Sequence, residues 1–203
     1  MTPGEALGML RGPTTREFLF STIVSPASRT SGAAEFTIDT VVASNTDRHP
    51  MFRVTERANQ ATGVVFDAVS VPMRNRDALA AGIDGLQLPN AGPDIMVTGQ
   101  LTSCAFMYSA DKNNMFCAHI EPTRAANPTR INRGVELGVQ LNGTGETFTN
   151  DAGAVRYFTK LAYQDLHHVN IFGVRRGDGW SLYVQGISTA GGSQTIVFSK
   201  QMI

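Results

Sequence analysis

A chain of 203 residues, 42% of them apolar, is long enough to bury a sizeable core and shorter than the roughly 250 residues at which cores divide, so one domain spanning 1–203 is expected. Seventeen Lys and Arg balance seventeen Asp and Glu, which speaks against a nucleic-acid partner, because a phosphate-tracking surface carries a basic excess. No run approaches the ~18 apolar residues of a membrane span, and two cysteines cannot form the multi-bridge framework of a small secreted scaffold.

The opening MTPGEALGMLRG has neither the basic nor the long apolar region of a signal peptide, so the expectation is export by a specialised system, or else a cytoplasmic place. Residues 2–10 have helical spacing. Alternating or β-branched runs then predict strands at FLFSTIVS (18–25), EFTIDTVVAS (35–44), MFRVTER (51–57) and GVVFDAVSVP (63–72). A second helical spacing falls at 75–83. Strands are expected again at IMVTGQLTSCAFMY (95–108), MFCAHIEP (115–122) and GVELGVQLN (134–142). The clearest helical pattern is 151–166, where Val155, Phe158, Leu161, Ala162 and Leu166 share a face after a cap at Asn150 or Asp151. Three more strands follow, VNIFGVRR (169–176), WSLYVQGIS (180–188) and QTIVFSKQM (194–202). The turn clusters SADKNN, NGTG, RGDG and TAGGS favour antiparallel hairpins. So many strands cannot lie in one open sheet without curling or splitting. The expected class is α+β, mostly β: two packed mixed or antiparallel sheets, a β-sandwich core, with a few flanking helices.

Chemistry concentrates in TGQLTSCAFMYSADKNNMFCAHIEP, residues 98 to 122. Taking 101–108 and 115–120 as hairpin arms closed around Asp111 and Lys112 sets Cys104 opposite His119, where Cβ atoms stand about 4.5–5.5 Å apart. The same register makes Cys104 and Cys117 diagonal neighbours roughly 7–8 Å apart, too far for a disulfide. An imidazolium beside a thiol can hold it as the nucleophilic thiolate. The imidazole works best when its second nitrogen donates to a fixed oxygen. Thr98, an even number of residues before Cys104, supplies that oxygen if the strand is unbroken; a backbone carbonyl could serve instead. The same residues also admit a structural reading, since buried cysteines are commonly inert small hydrophobes and a lone strand histidine is often a satisfied core or surface residue.

The stretch Thr98-Gly-Gln-Leu-Thr-Ser-Cys104, with Ala118-His119-Ile120 at the far end of a hairpin, resembles the catalytic core of the cytotoxic necrotizing factor and Burkholderia lethal factor family. The resemblance covers about 95–122. It implies a bacterial glutamine deamidase toxin or effector built on a β-sandwich, with a cysteine and a histidine on neighbouring strands and a third oxygen acceptor, places matched by Cys104, His119 and Thr98. The family pattern Leu-Ser-Gly-Cys reads Leu101-Thr102-Ser103-Cys104 here, so a serine replaces a glycine that could take positive φ before the nucleophile.

The expected reaction is attack of Cys104 on the γ-carboxamide of a protein glutamine, an oxyanion held by backbone N–H groups near 103–104, release of ammonia through His119, and hydrolysis of the thioester to Glu. By resemblance the partner is a host protein substrate bearing the target glutamine, met in the host cytosol by a monomer with no cofactor and no metal. Transglutamination, a cysteine protease or amidase, and a non-enzymatic β-sandwich binding module are the alternatives. Other features carry less. Arg176-Gly177-Asp178 reads as a hairpin turn rather than an adhesion tripeptide, and His167-His168 as the cap of a helix C-terminus rather than a metal site. Asp111-Lys-Asn113-Asn114 lacks the glycine and distal glutamate of a calcium loop. Gly138-Val-Gln-Leu-Asn-Gly143-Thr-Gly145 lacks the ending and context of a phosphate loop, so no nucleotide is expected.

Overall fold

The structure is a computed structural model that describes all residues except 43–47, 61, 77–81, 123–129 and 152, with only the backbone of 130–132. Its helices are α1 (Pro3–Arg11), α2 (Thr15–Ser21) and α3 (Arg130–Thr144). The strands are β1 (Ile23–Ala27), β2 (Gly32–Thr40), β3 (Met51–Glu56), β4 (Val64–Val71), β5 (Met73–Asn75), β6 (Leu86–Gln87), β7 (Ile95–Thr98), β8 (Ala105–Ser109), β9 (Phe116–Glu121), β10 (Val155–Phe158), β11 (His168–Arg176), β12 (Gly179–Ala190) and β13 (Ser193–Gln201). The chain adopts the expected mostly β architecture of two mixed sheets with helices outside. Among the described residues no helix is long and apolar enough to cross a membrane.

The larger sheet has the order β1-β3-β2-β4-β7-β11-β12-β13 and curls almost into a barrel. Alternation along its strands sends Phe36, Phe52, Phe66, Val97 and Phe172 to one side, against Leu10 of α1 and Phe18 and Leu19 of α2. The other residues, Val71, Met96, Leu182 and Val184, face the second sheet. That sheet runs β10-β8-β9-β5, with β6 also paired to β9. Cys104, Phe106, Tyr108 and Cys117 fill the space between the sheets, while Ala105, Met107, Ala118 and Ile120 point outward to Leu137 and Leu141 of α3. The period-2 pattern of the hairpin thus divides two cores.

Three expectations about elements are corrected. Residues 134–142 are helix, not strand: Gly134, Leu137, Gly138 and Leu141 form the buried face of α3, and Val139 is exposed. The run 151–166 is not a helix. Val155–Phe158 pairs as β10 along β8, from Val155↔Ser109 to Phe158↔Phe106, and one 3-10 turn follows at Lys160–Ala162. A free edge of the smaller sheet offers this segment ladder hydrogen bonds that outweigh its helical spacing. The stretch 18–25 begins as α2 and becomes β1 only at Ile23. The helix expected at 75–83 falls mostly outside the described residues.

The hairpin register also differs. β8 and β9 pair as Phe106↔His119 and Tyr108↔Cys117, two residues away from the expected pairing, so that Cys104 is a diagonal rather than a direct neighbour of His119. The turn is longer because Ser109 closes it: its hydroxyl donates to the Asn114 carbonyl (3.1 Å) and accepts from the Phe116 N–H (2.8 Å). The loop tip also docks on the larger sheet, where the Trp180 N–H donates to the Lys112 carbonyl at 2.9 Å. A slip of two keeps every side chain on its face. It carries Cys104 and Cys117 further apart than expected, and neither is in a disulfide.

Candidate active site

The chain steps from the larger sheet to the smaller one twice, at Val71-Pro72-Met73 and through residues 99–104. Thr98 and Cys104 therefore do not share an unbroken strand, as the even spacing assumed. Thr98 ends β7 in the larger sheet beside Val71, and Cys104 immediately precedes β8 in the smaller. Both belong to the interlayer, where His119 of β9 contacts Thr98, its strand neighbours being Phe106 on one side and Met73 on the other.

The Thr98 hydroxyl donates its proton to the Val71 carbonyl at 2.8 Å and lies 2.8 Å from His119 Nδ1. With that proton committed, the oxygen can only accept from the ring, which fixes the Nδ1–H tautomer and leaves Nε2 with a bare lone pair. Nε2 is buried and has no hydrogen-bond partner among the described residues. Burial pulls the His119 pKa down to about 3, so the imidazole is neutral at neutral pH. It is a base awaiting a proton rather than the imidazolium expected beside a resting thiolate.

The backbone around Cys104 is anchored on several sides. Tyr163 OH donates to the Cys104 carbonyl at 2.5 Å, and its ring stacks on Phe158 at 5.7 Å. Leu101 exchanges two 2.9 Å backbone hydrogen bonds with Val169 of β11. Gly134 of α3 lies so close to the Ser103 carbonyl that a Cβ there would overlap it. No non-glycine residue has positive φ among the described residues, so Ser103 holds the turn before Cys104 without the conformation a glycine would permit. The Thr102 hydroxyl, two residues before Cys104, is buried without a partner among the described residues. Lys160, beneath the Tyr163 ring at 4.5 Å, donates to the carbonyls of Tyr163 and Leu166.

Sequence reasoning brought Cys104, His119 and Thr98 to one interlayer and missed Met73, Gly99 and Tyr163. Met73 Sδ lies 3.7 Å from Cys104 Sγ. A Cβ at Gly99 would stand 3.9 Å from His119 Cε1. These residues are remote in sequence or carry no reactive group, so their only signal is the fold.

His167-His168 caps no α-helix: the segment before it is β10 and the short 3-10 turn Lys160–Ala162, and His168 opens β11. The Nδ1 atoms of the two rings are 2.8 Å apart, and His168 Nε2 lies 3.3 Å from the Gln100 amide nitrogen. Burial, then the neighbouring His167, brings the His168 pKa down to about 4. Arg176 of the RGD turn spends its guanidinium inside the molecule, on Tyr183 OH at 2.9 Å and on the Arg11 carbonyl at 3.3 Å. Among the described residues, no three His, Cys, Asp or Glu side chains converge to hold a metal ion. No family model matches the chain, and no curated protein matches it.

Proposed function

We propose that the protein is a cysteine-dependent protein-glutamine deamidase, a toxin or effector that converts a glutamine of a host protein to glutamate. The observation that carries the reading is the oriented imidazole: Nδ1 held by Thr98 and Nε2 buried and unpartnered, on the sheet face it shares with Cys104. In this mechanism His119 Nε2 takes the Cys104 proton as sulfur attacks the glutamine Cδ. The resulting imidazolium is stabilised by Thr98 Oγ1 and returns the proton to the departing ammonia. Water, deprotonated by the same nitrogen, then hydrolyses the thioester, and Cys104 recovers its proton. Backbone N–H groups near 103–104, with the Thr102 hydroxyl beside them, hold the oxyanion. The outcome is a new negative charge on the target, enough to disable a switch or an interface without cutting the chain.

The test is incubation of wild type and Cys104→Ser with a eukaryotic lysate, followed by peptide mass spectrometry. Gln→Glu conversion at specific sites with wild type alone is the expected result. Wild-type conversion no greater than the Cys104→Ser background rejects the reading, and amine adducts in place of glutamate assign the same dyad to transglutamination.

A further inference from the structure

Met73 reaches the Cys104 thiol from the far side of a strand. In the smaller sheet the order is β8-β9-β5, so β9 separates the strand that Cys104 precedes from the strand that Met73 opens. Met73 is the register partner of His119 on one side, as Phe106 is on the other. The three side chains therefore leave the sheet on one face, the interlayer face on which Phe106 and Cys104 pack. On that face the Cys104 thiol donates to Met73 Sδ at 3.7 Å. Neighbouring strands stand about 4.8 Å apart, so the contact spans β9, the strand that carries His119.

Core packing does not account for this reach. Cys104 is 1% exposed and His119 not at all, whereas Met73 is 48% exposed: it leaves nearly half of its surface in solvent while its thioether rests on a buried thiol. The thiol proton is directed at a thioether, a weak acceptor. Nε2 of His119, a better one, is buried with no hydrogen-bond partner among the described residues. Nucleophile and base are thus not engaged with each other at rest. The side chain that intervenes also has the shape of a substrate. Methionine and glutamine share an unbranched stem of Cβ and Cγ, and methionine continues with Sδ and Cε where glutamine has Cδ and Nε2. Met73 Sδ therefore stands where a glutamine at that position would set its carbonyl carbon, 3.7 Å from the Cys104 sulfur and just outside the roughly 3–3.5 Å of a near-attack conformer.

We propose that Met73 is a built-in stand-in for the substrate: its thioether occupies the place of the glutamine carboxamide in front of Cys104, and a substrate glutamine enters by displacing it. This role rests on the deamidase reading and adds its resting control. Methionine suits the task, because an unbranched side chain with three rotatable bonds can swing out from the edge of the smaller sheet without moving the backbone. Until then the thiol stays protonated and covered. Once the thioether leaves, His119 Nε2 is the acceptor for the thiol proton.

Met73→Gln turns the stand-in into a substrate carried by the chain itself. Sulfur bonds to Cδ of the new side chain, the Cδ–Nε2 bond breaks, ammonia departs with the thiol proton, and water hydrolyses the thioester to leave a glutamate and the thiol. Peptide mass spectrometry of the purified protein should find position 73 converted to glutamate in Met73→Gln and unconverted in Met73→Gln/Cys104→Ala, with the fully buried Gln185 unchanged in both. Access is read separately, without turnover: Met73→Ala should speed iodoacetamide labelling of Cys104 about tenfold or more, since thiol reactivity follows access. Cys117, wholly buried, stays unlabelled while the fold is intact; if Met73→Ala fails that control, Met73→Ser takes its place. Labelling of Cys104 unchanged by removal of the thioether overturns the proposal. An unconverted glutamine at position 73, in a protein whose wild type converts glutamines in lysate, overturns the stand-in and leaves the deamidase. Faster labelling with no conversion at position 73 or in lysate sinks the deamidase and leaves Met73 as the cover of the thiol.

Discussion

Thr98 has one hydroxyl proton and gives it to the Val71 carbonyl, which is why it can hold a histidine as an acceptor. Thr98→Val keeps the shape and removes the oxygen. The Nδ1–H is then buried and unpaired, at a cost of about 1–3 kcal/mol, and the ring is free to move its proton to Nε2, where it would block the base. The expected result is a fall of about 10–100-fold in the rate of Gln→Glu conversion, with Thr98→Ser keeping most of the wild-type rate. Equal rates for Val and Ser would make Thr98 a packing residue. At this scale the sequence held more than its local geometry warranted. The even spacing from Thr98 to Cys104 assumed one strand, yet β7 ends at Thr98 in one sheet and Cys104 precedes β8 of the other. Met73 was out of reach because its contact with Cys104 depends on β5 pairing with β9, which no spacing announces.

Among elements, α3 is the one the alternation of Val135, Leu137, Val139 and Leu141 disguised as a strand. The better signal was the pair Gly134 and Gly138, four residues apart and so on one helix face. There they let the helix approach Ser103 and Thr159 more closely than a Cβ allows. Gly134→Ala gains up to about 1 kcal/mol in helix propensity. It must also displace the Ser103 carbonyl, a backbone group in the turn that carries Cys104, and overpacking of this kind costs about 1–3 kcal/mol. A net loss of stability by urea unfolding, together with slower deamidation, is expected. Gly143→Ala, with nothing within 4 Å of its Cβ position, should be neutral or stabilising. Gly134→Ala behaving like Gly143→Ala would mean that α3 does not brace the nucleophile turn. β10 was misread for the opposite reason: its helical spacing is real, but the open edge of β8 takes the segment as an edge strand.

At the scale of the molecule, the mostly β class and the two-sheet arrangement could be read from ten alternating runs and their turns, because alternation is a local property of the chain. Which strand joins which sheet could not, and the candidate site depends on that assignment. β7 belongs to one sheet and β9 to the other, so the contact between Thr98 and His119 bridges the interlayer. The register slip in the β8–β9 hairpin has the same origin, since Lys112 at its tip bonds to Trp180 in the larger sheet. Sheet packing thus buries His119 and keeps it neutral, its pKa near 3, with one nitrogen occupied and the other bare. The decisive measurement is the nitrogen-15 spectrum of the His119 ring, recorded as a pH titration on wild type and Cys104→Ser. Protonated Nδ1 and bare Nε2 from pH 8 down to about pH 4, with an Nε2 shift that changes on removal of the thiol, is the result this account predicts. A ring protonated on Nε2, an ordinary titration near pH 6.5, or an Nε2 indifferent to Cys104→Ser would contradict it.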